Sequence, residues 1–509
     1  MTALANSQDT PQSTTTYRDI LRSTAVIGGS TLVVLAVSLV RMKVLAVLLG
    51  PAGVGLMALY NSVIDLVVAF AGLGVQQSGV RQIAQSAAGE SDEQLNATAA
   101  IVRRISLLLG IAGAAGMALL CVPISLLTFG TAAYALPVAL VGLVVLFKLH
   151  AGGQTALLQG TRRIGDLARL NIFGALTSVA VTIPLVLLWG EAGIVPALIV
   201  MAGVASLIAW HYGRRVAVVP QLLSRGAVKR ETMDLVRLGL AFMISGFVMM
   251  GAAYLIRIII LHEDGVAAAG IYQAAWGLAG LYVGCVLQAM GMDFYPRLTG
   301  VADDDAMVNR LVNEQTQVSL LLAGPGVIAT ITLAPLAIAI FYSQEFLDAV
   351  GLLRLLGLGM MLRVVAWPMG YIIVAKGWQR TFIIVEVLAA LIHVGLTAIL
   401  VPMIGVDGAG IAFAGLYLYH ALLVYWIVRK KCGFRLSPAN AQLFAIFAPA
   451  TAIAFAGFIW LPFWWATAVG LAVTCACGVF SLYALVRLTP PDVLPRPLLA
   501  VLARLGFSP

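Results

Sequence analysis

Charge is what this sequence has least of: 10% of its 509 residues are charged, and only 22 are acidic. Soluble domains average about 25% charged residues, so that class is excluded. Cysteine and histidine are equally scarce, five of each. Cys121, Cys285, Cys475 and Cys477 fall in apolar stretches and Cys432 follows a basic run. That placement leaves no framework for disulfides or structural zinc, and neither metal nor cofactor is expected. His150, His211 and His393 are scattered and read as interhelical hydrogen-bonding groups. No G-x-x-x-x-G-K-[ST] occurs, which removes a phosphate-cradling ATPase loop. The polar residues 1–20 lack the basic, apolar, small-residue order of a cleaved signal and read as a disordered cytoplasmic tail.

What is present is apolar sequence. The chain is 61% hydrophobic with a mean hydropathy of +1.00. Stretches of about 20 apolar residues, the length that spans a bilayer, recur from end to end. Division at charges, prolines and glycine turns predicts an all-α integral membrane protein with about 14 transmembrane helices. With a cytoplasmic N-terminus, 25 of the 31 Lys and Arg residues lie on the cytoplasmic side. The opposite loops then carry only acids, such as Glu191, Glu263, Asp264, Glu345, Asp348 and Asp407. Both termini are therefore placed inside. The net charge of +9 reflects this orientation and anionic lipid, without nucleic acid.

The chain also resembles itself. A shift of about 216 residues sets "GLMALYNSVIDL" from Gly55 on "GIYQAAWGLAGL" from Gly270, and "EAGIVPA" from Glu191 on "GAGIAFA" from Gly408. It likewise sets "LLQGTRR" from Leu157 on "VAKGWQR" from Val374. We read two pseudo-symmetric lobes of six helices each, residues 21–217 and 236–430, joined by a basic cytoplasmic linker, 218–235. Residues 431–509 hold an appended helix pair and a cytoplasmic tail.

Six basic residues lie within spans: Arg41, Lys43, Lys148, Arg257, Arg354 and Arg363. A cation at a span centre costs about 2.5–3.5 kcal/mol on insertion scales, so each needs a reason. Arg354 sits near enough to a helix end to snorkel. At the repeat shift, Arg41 falls on Arg257 and Lys148 falls one position from Arg363. Only Asp65 and Glu386 are clearly available as acids within spans, so positive charge is in excess. Placed on the first and fourth helices of each lobe, Arg41, Lys148, Arg257 and Arg363 would face one aqueous space, where an anion offsets their desolvation. Arg41 and Lys43 project about 200° apart on a helix and cannot share that space. Lys43 is the expected partner of Asp65. Asp65 and Glu386 are also candidates for binding a coupling proton or sodium ion.

The segments "RMKVLAVLLGPAGVGLMALYNSVIDLVVAFAGLGVQQSGVRQIAQ" (Arg41 to Gln85) and "MGYIIVAKGWQRTFIIVEV" (Met369 to Val387) resemble bacterial O-antigen translocases and lipid III flippases. The likeness covers approximately residues 20 to 430. It implies the multidrug/oligosaccharidyl-lipid/polysaccharide exporter superfamily, with alternating access in the bacterial inner membrane. The implied cargo is an undecaprenyl-diphosphate-linked oligosaccharide, moved from the cytoplasmic to the periplasmic leaflet. Polysaccharide polymerase and chain-length proteins are the implied partners, beside membrane lipid. In the related lipid II flippase, arginines of the first and eighth helices and an aspartate of the second matter. Arg41 matches the first, Asp65 lies on the second helix, and the eighth has no interior arginine, which leaves Arg257 on the seventh. The appended pair departs from the twelve spans usual in the family. For such a cargo, Tyr60, Asn61, Tyr272, Gln273, Trp276, Gln288 and Trp367 are the candidates to stack on or hydrogen-bond sugar.

Two other classes fit the sequence less well. A drug or small-molecule exporter of the same superfamily predicts an acid-dominated cavity, opposite to the excess of cations. A membrane polymerase or ligase needs a large extracytoplasmic loop, and the predicted loops on that side are too short. A transporter, not an enzyme, is the expectation.

Overall fold

The computed structural model describes residues 11–88, 92–216 and 225–488. Of the expected segments, the first ten residues of the tail, residues 218–224 of the 218–235 linker and the C-terminal tail from 489 lie outside the described residues. The described residues are helical throughout, with no strand among them. That follows from the solvent: hydrocarbon offers no partner for a backbone N–H or C=O, so every such group must bond within its own segment.

Ten helical stretches are long and apolar enough to cross a membrane, or eleven when one bent pair counts as a span. Three of them are far longer than a bilayer requires: Gly29–Ala71, Ile164–Gly213 and Phe242–Gly300, of 43, 50 and 59 residues. Each is broken by a left-handed glycine, Gly50 (φ 61°), Gly190 (φ 57°) and Gly265 (φ 85°). Gly50 and Gly265 have ψ of −171° and 178°. Only glycine populates that region readily. The bent pair is α9, Asp305–Thr332, and α10, Ala334–Phe341, which meet at 79°.

The backbone fixes the register of the repeat. Left-handed Gly50 and Gly265 are 215 positions apart, as are Gly190 and Gly405. Left-handed Arg162 and Gly377 are also 215 apart. Gly193 and Gly408 keep the offset, and a Cβ on either would strike the backbone of Leu185 or Leu400, themselves 215 apart. The offset of 215 replaces the expected 216, and Gly193, rather than Glu191, is the counterpart of Gly408. It places Lys148 on Arg363 and sets Arg41 one residue out of register with Arg257. Sequence similarity alone slips here because apolar helices match one another at several shifts, whereas a broken helix matches at one.

The described residues form two compact units. The first runs to Leu49 and from Leu59 to Gly251, and the second holds Gly50–Ala58 and the chain from Ala252. The units thus cut across the two halves of the repeat.

In the first unit α5, Ala135–Gly160, is central, packed on α2 (Val75–Ala88), α3 (Asp92–Leu119) and α7 (Ile194–Gly213). Its lower half buries Ala156, Leu157 and Leu158 against Ile83, Val102 and Tyr212. Small residues permit the approach: a Cβ on Gly153 would meet Ser106 at 2.6 Å.

In the second unit α11, Ala349–Ala375, packs on α9 and on α13, Asp407–Cys432. The appended helices α14, Pro438–Trp460, and α15, Phe463–Leu488, both lie against α9. Asn313 of α9 clasps the chain that leads into α14. Its Nδ2 donates to the Arg435 carbonyl at 2.9 Å, while Oδ1 accepts from the Ser437 amide at 2.8 Å and from Asn440 Nδ2 at 2.9 Å. With Asn440 only 1% exposed, these bonds answer amides that would otherwise be buried unpaired. At the α14–α15 turn, Trp460, Trp464 and Trp465 are exposed, as in an interfacial aromatic belt.

Gly265→Ala puts a side chain where the backbone admits almost none and should cost about 1–3 kcal/mol. A lowered melting temperature in detergent checks this, against Gly280→Ala, whose Cβ would meet nothing within 4 Å and which should stay near wild type.

Candidate functional site

The first unit holds Arg41, Lys43, Asp65 and Lys148, all half-buried. Asp65 Oδ1 accepts a hydrogen bond from Lys148 Nζ at 2.8 Å, joining α1, Pro11–Ala71, to α5. Asp65 thus pairs with Lys148, where the sequence suggested Lys43. Lys148 is reached from the neighbouring helix α5, whereas Lys43 precedes Asp65 across the break at Gly50. The pairing also changes the reading of Lys148, whose charge is met by a carboxylate.

Arg41 is different. Its Nη1 donates to Met201 Sδ at 3.3 Å, and a thioether is a weak, uncharged acceptor. Below it, Arg103 donates through Nε to Gln154 Oε1 at 3.1 Å and through Nη2 to the Gly213 carbonyl. His150 Nδ1 lies 2.6 Å from Ser206 Oγ. Of this cluster the sequence marked only His150, as an interhelical hydrogen-bonding group; Arg103 and Gln154 were not singled out.

The second unit holds Arg257 on α8 (Arg225–Gly300), Arg363 on α11 and Glu386 on α12, Gln379–Ile404. Arg257 donates through Nη2 to Gln273 Oε1 at 2.9 Å and through Nη1 to the Ala253 carbonyl at 3.0 Å. Its Nε is buried without a partner. Tyr272 and Trp276 stack at 5.9 Å, Trp276 meets Phe413 edge-on at 5.2 Å, and Phe413 meets Tyr417 at 4.9 Å. The Arg257 guanidinium lies 5.8 Å from the Tyr272 ring, and that of Arg363 lies 5.8 Å from Tyr417. Four rings thus run from one arginine to the other. Both separations sit at the outer edge of cation–π contact, about 6 Å. Tyr417 lies in the electrostatic field of both Arg363 and Glu386. Phe413 and Tyr417 were not singled out from sequence, because aromatics on an apolar helix carry no mark of what they stack against.

Among the described residues, Lys148 alone of Arg41, Lys148, Arg257 and Arg363 makes an ion pair. The three arginines have neutral partners only. Arg354, expected to snorkel, instead turns inward: its guanidinium lies 3.5 Å from the ring centre of Phe458 on α14, and Nε donates to the Ile331 carbonyl at 3.2 Å.

The expected sugar contacts divide. Tyr60 is 2% exposed and packs on Phe129 at 5.6 Å, and Tyr272 is 3% exposed within the ring chain, so neither presents a free face. Trp367 packs on Phe294 and Tyr371 in a hydrophobic core, and Gln273 is taken by Arg257. Trp276 and Asn61 are half-buried, and Gln288 is exposed. No cluster of His, Cys, Asp and Glu able to hold a metal occurs among the described residues.

Residues 44–351 match the model of a family described as polysaccharide biosynthesis protein. The chain belongs to that family. It is 25% identical to the lipid III flippase of Escherichia coli K12 over 420 residues, 79% of this chain and 97% of the relative. The lipid III flippase of Shigella flexneri matches to the same extent. Among solved structures, the lipid II flippase MurJ in an inward closed conformation superposes with a TM-score of 0.68, at 12% identity, over 92% of this chain and 99% of that one. An inward-facing multidrug resistance MATE transporter of the MOP superfamily gives 0.61 at 18% identity over 78% and 94%. This polysaccharide biosynthesis family member therefore has the MOP fold and is a multi-pass inner membrane protein.

Removing one member of the Asp65–Lys148 pair should destabilise more than removing both. With side chains 45% and 38% exposed, the coupling should be about 0.5–1 kcal/mol. Melting curves of Asp65→Ala, Lys148→Ala and the double variant in detergent measure it.

Proposed function

We propose that the protein is a flippase that carries an undecaprenyl-diphosphate-linked oligosaccharide, an O-antigen or exopolysaccharide repeat unit, from the cytoplasmic to the periplasmic leaflet by alternating access. The observation that carries this reading is the set of three half-buried guanidiniums, Arg41, Arg257 and Arg363, whose partners are a thioether, an amide, carbonyls and aromatic rings. A diphosphate supplies the missing negative charge, and its oxygens match the planar fork of arginine. The lipid tail stays in hydrocarbon throughout, so only the polar head needs an escort. The rings beside Arg257 and Arg363 offer apolar faces next to cations, chemistry suited to sugar. The similarity to lipid III flippases supports the class of cargo. Cations in excess of acids disfavour a small-cation drug exporter, and the chain's relatives are transporters rather than polymerases or ligases.

In cells lacking the chromosomal gene, lipid-linked oligosaccharide should accumulate on the cytoplasmic face. Wild type should clear it, while Arg41→Ala and Arg257→Ala should each lower clearance at least tenfold at equal membrane abundance. Full clearance by both variants would falsify the cationic binding. Normal translocation without the gene would remove this cargo and make drug efflux the next assay.

We further propose that each of the three glycine-broken stretches crosses the membrane twice, giving fourteen crossings with both termini inside. The five free cysteines can be replaced by serine. In that background, Glu191→Cys and His262→Cys should react with an impermeant maleimide from the periplasm, and Arg297→Cys only after permeabilisation. Labelling of Arg297→Cys in intact cells would contradict the topology.

A further inference from the structure

Each half of the repeat serves as a reference for the other. Helix α6, Ile164–Trp189, and α12, Gln379–Ile404, begin and end 215 positions apart. Each packs on the helix that follows it, α6 on α7 in the first unit and α12 on α13 in the second. In the first half, the corner where α6 begins and α7 ends is built around a carboxylate. Asp166, in the first turn of α6, lies 3.6 Å from Arg163, 3.2 Å from Arg169 and 3.9 Å from Arg215. Its side chain is only 15% exposed, so the guanidiniums enclose it.

The corresponding corner of the second half lacks that acid. Thr381 stands at the position equivalent to Asp166, and the first turn of α12 holds no acidic residue. The cations remain: α13 ends in Arg429, Lys430 and Lys431, where the first half has Arg214, Arg215 and Val216. All three are exposed, and none makes an ion pair among the described residues. Each lies near an aromatic ring instead, Arg429 at 6.0 Å from Tyr425, Lys430 at 5.2 Å from Trp426 and Lys431 at 4.5 Å from Trp378. Lys431 Nζ also donates to Thr381 Oγ1 at 2.7 Å. The hydroxyl that replaces the carboxylate thus touches a cation without neutralising it, and the rings orient the charges without removing them.

The surface leading to this corner is apolar. Leu418, Leu422, Trp426 and Lys430 follow one another at intervals of four, which puts them in one stripe along α13. The first three are exposed, as side chains that face lipid are. The stripe passes from aliphatic carbon through an indole to an ammonium, the order of a phospholipid from tail to headgroup. The equivalent stripe of the first half, Gly203, Leu207, His211 and Arg215, is different in kind. There His211 replaces the tryptophan, and Arg215 is taken up by His211 Nε2 at 3.0 Å and by Asp166.

We propose that the end of α13 is a binding site for one anionic phospholipid, whose headgroup phosphate takes the place that the Asp166 carboxylate fills in the first half. Arg429, Lys430 and Lys431 meet the phosphate, and an acyl chain lies along Leu418, Leu422 and Trp426. The exposed apolar stripe favours a lipid over a soluble phosphate ester. A zwitterionic headgroup brings its own cation and gains less from three more, so the site prefers a net negative one. It is separate from Arg41, Arg257 and Arg363 and does not rest on the transport reading.

Competition between two lipids tests this on the full chain. Protein in detergent is mixed with equal amounts of phosphatidylglycerol and phosphatidylcholine of the same acyl chains, and retained lipid is counted by native mass spectrometry. Wild type should prefer phosphatidylglycerol. Thr381→Asp, which restores the carboxylate of the first half, should lower phosphatidylglycerol retention about fivefold, the share of one surface cation. Thr381→Val, which adds no charge, should stay near wild type. If Thr381→Asp fails to fold, the Arg429→Ala, Lys430→Ala, Lys431→Ala variant carries the test, with loss of the preference expected. Equal retention of the two lipids by wild type, or unchanged phosphatidylglycerol retention in the folded Thr381→Asp variant, would overturn the site. Glycerol phosphate, the headgroup without chains, should not displace the lipid at equal concentration, and displacement would overturn the lipid as occupant. In the Arg41→Ala, Arg257→Ala, Arg363→Ala background, Thr381→Asp should lower retention by the same factor. Loss of its effect there would assign the lipid to those arginines and overturn a separate site.

Discussion

A charge in hydrocarbon must be answered by something, and among the described residues three arginines are answered only by neutral groups. Arg41 rests on a thioether, Arg257 on an amide and a carbonyl, and Arg363 beside a tyrosine ring. Their acids are absent because the chain carries so few: the spans offer Asp65, which Lys148 takes, and Glu386, which shares the surroundings of Tyr417 with Arg363. The fold thus holds positive charge in reserve, at the desolvation cost that any intramembrane cation bears. Under the proposed function, this reserve is what meets the polar anionic head of the lipid-linked cargo.

Contacts inside each unit are dense around α5 and between α11, α9 and α13. The appended α14 is fastened more firmly than its late position in the chain suggests. Asn313 and Asn440 hold its start, and the Arg354–Phe458 contact holds its far end. Arg354 therefore serves packing, where its sequence position resembled that of a snorkelling residue.

Fold class was legible because the bilayer leaves few choices: long apolar runs and basic loops on one side imply helices before any packing is known. The repeat was legible too, but its register was not. Apolar residues substitute for one another freely, so the true offset emerged only at Gly50, Gly190 and their counterparts, where φ is positive. Within the site, the excess of cations could be read directly from a count of acids. Partnership could not. Nothing in the order of Lys43, Asp65 and Lys148 tells which lysine reaches the carboxylate, since that depends on which helix lies next to α1. The same limit applies to Tyr60 and Trp367, aromatic residues in apolar helices: only their neighbours distinguish a core ring from an open one.

The central claim is that the arginines retain a diphosphate, and direct binding tests it without reference to transport. Purified protein would be equilibrated with undecaprenyl diphosphate and, separately, with the uncharged alcohol undecaprenol, and bound lipid counted by native mass spectrometry. The account predicts at least tenfold preference for the diphosphate, and loss of that preference in the folded Arg41→Ala, Arg257→Ala, Arg363→Ala variant. Equal retention of the two lipids by wild type, or an unchanged preference in the triple variant, would contradict it.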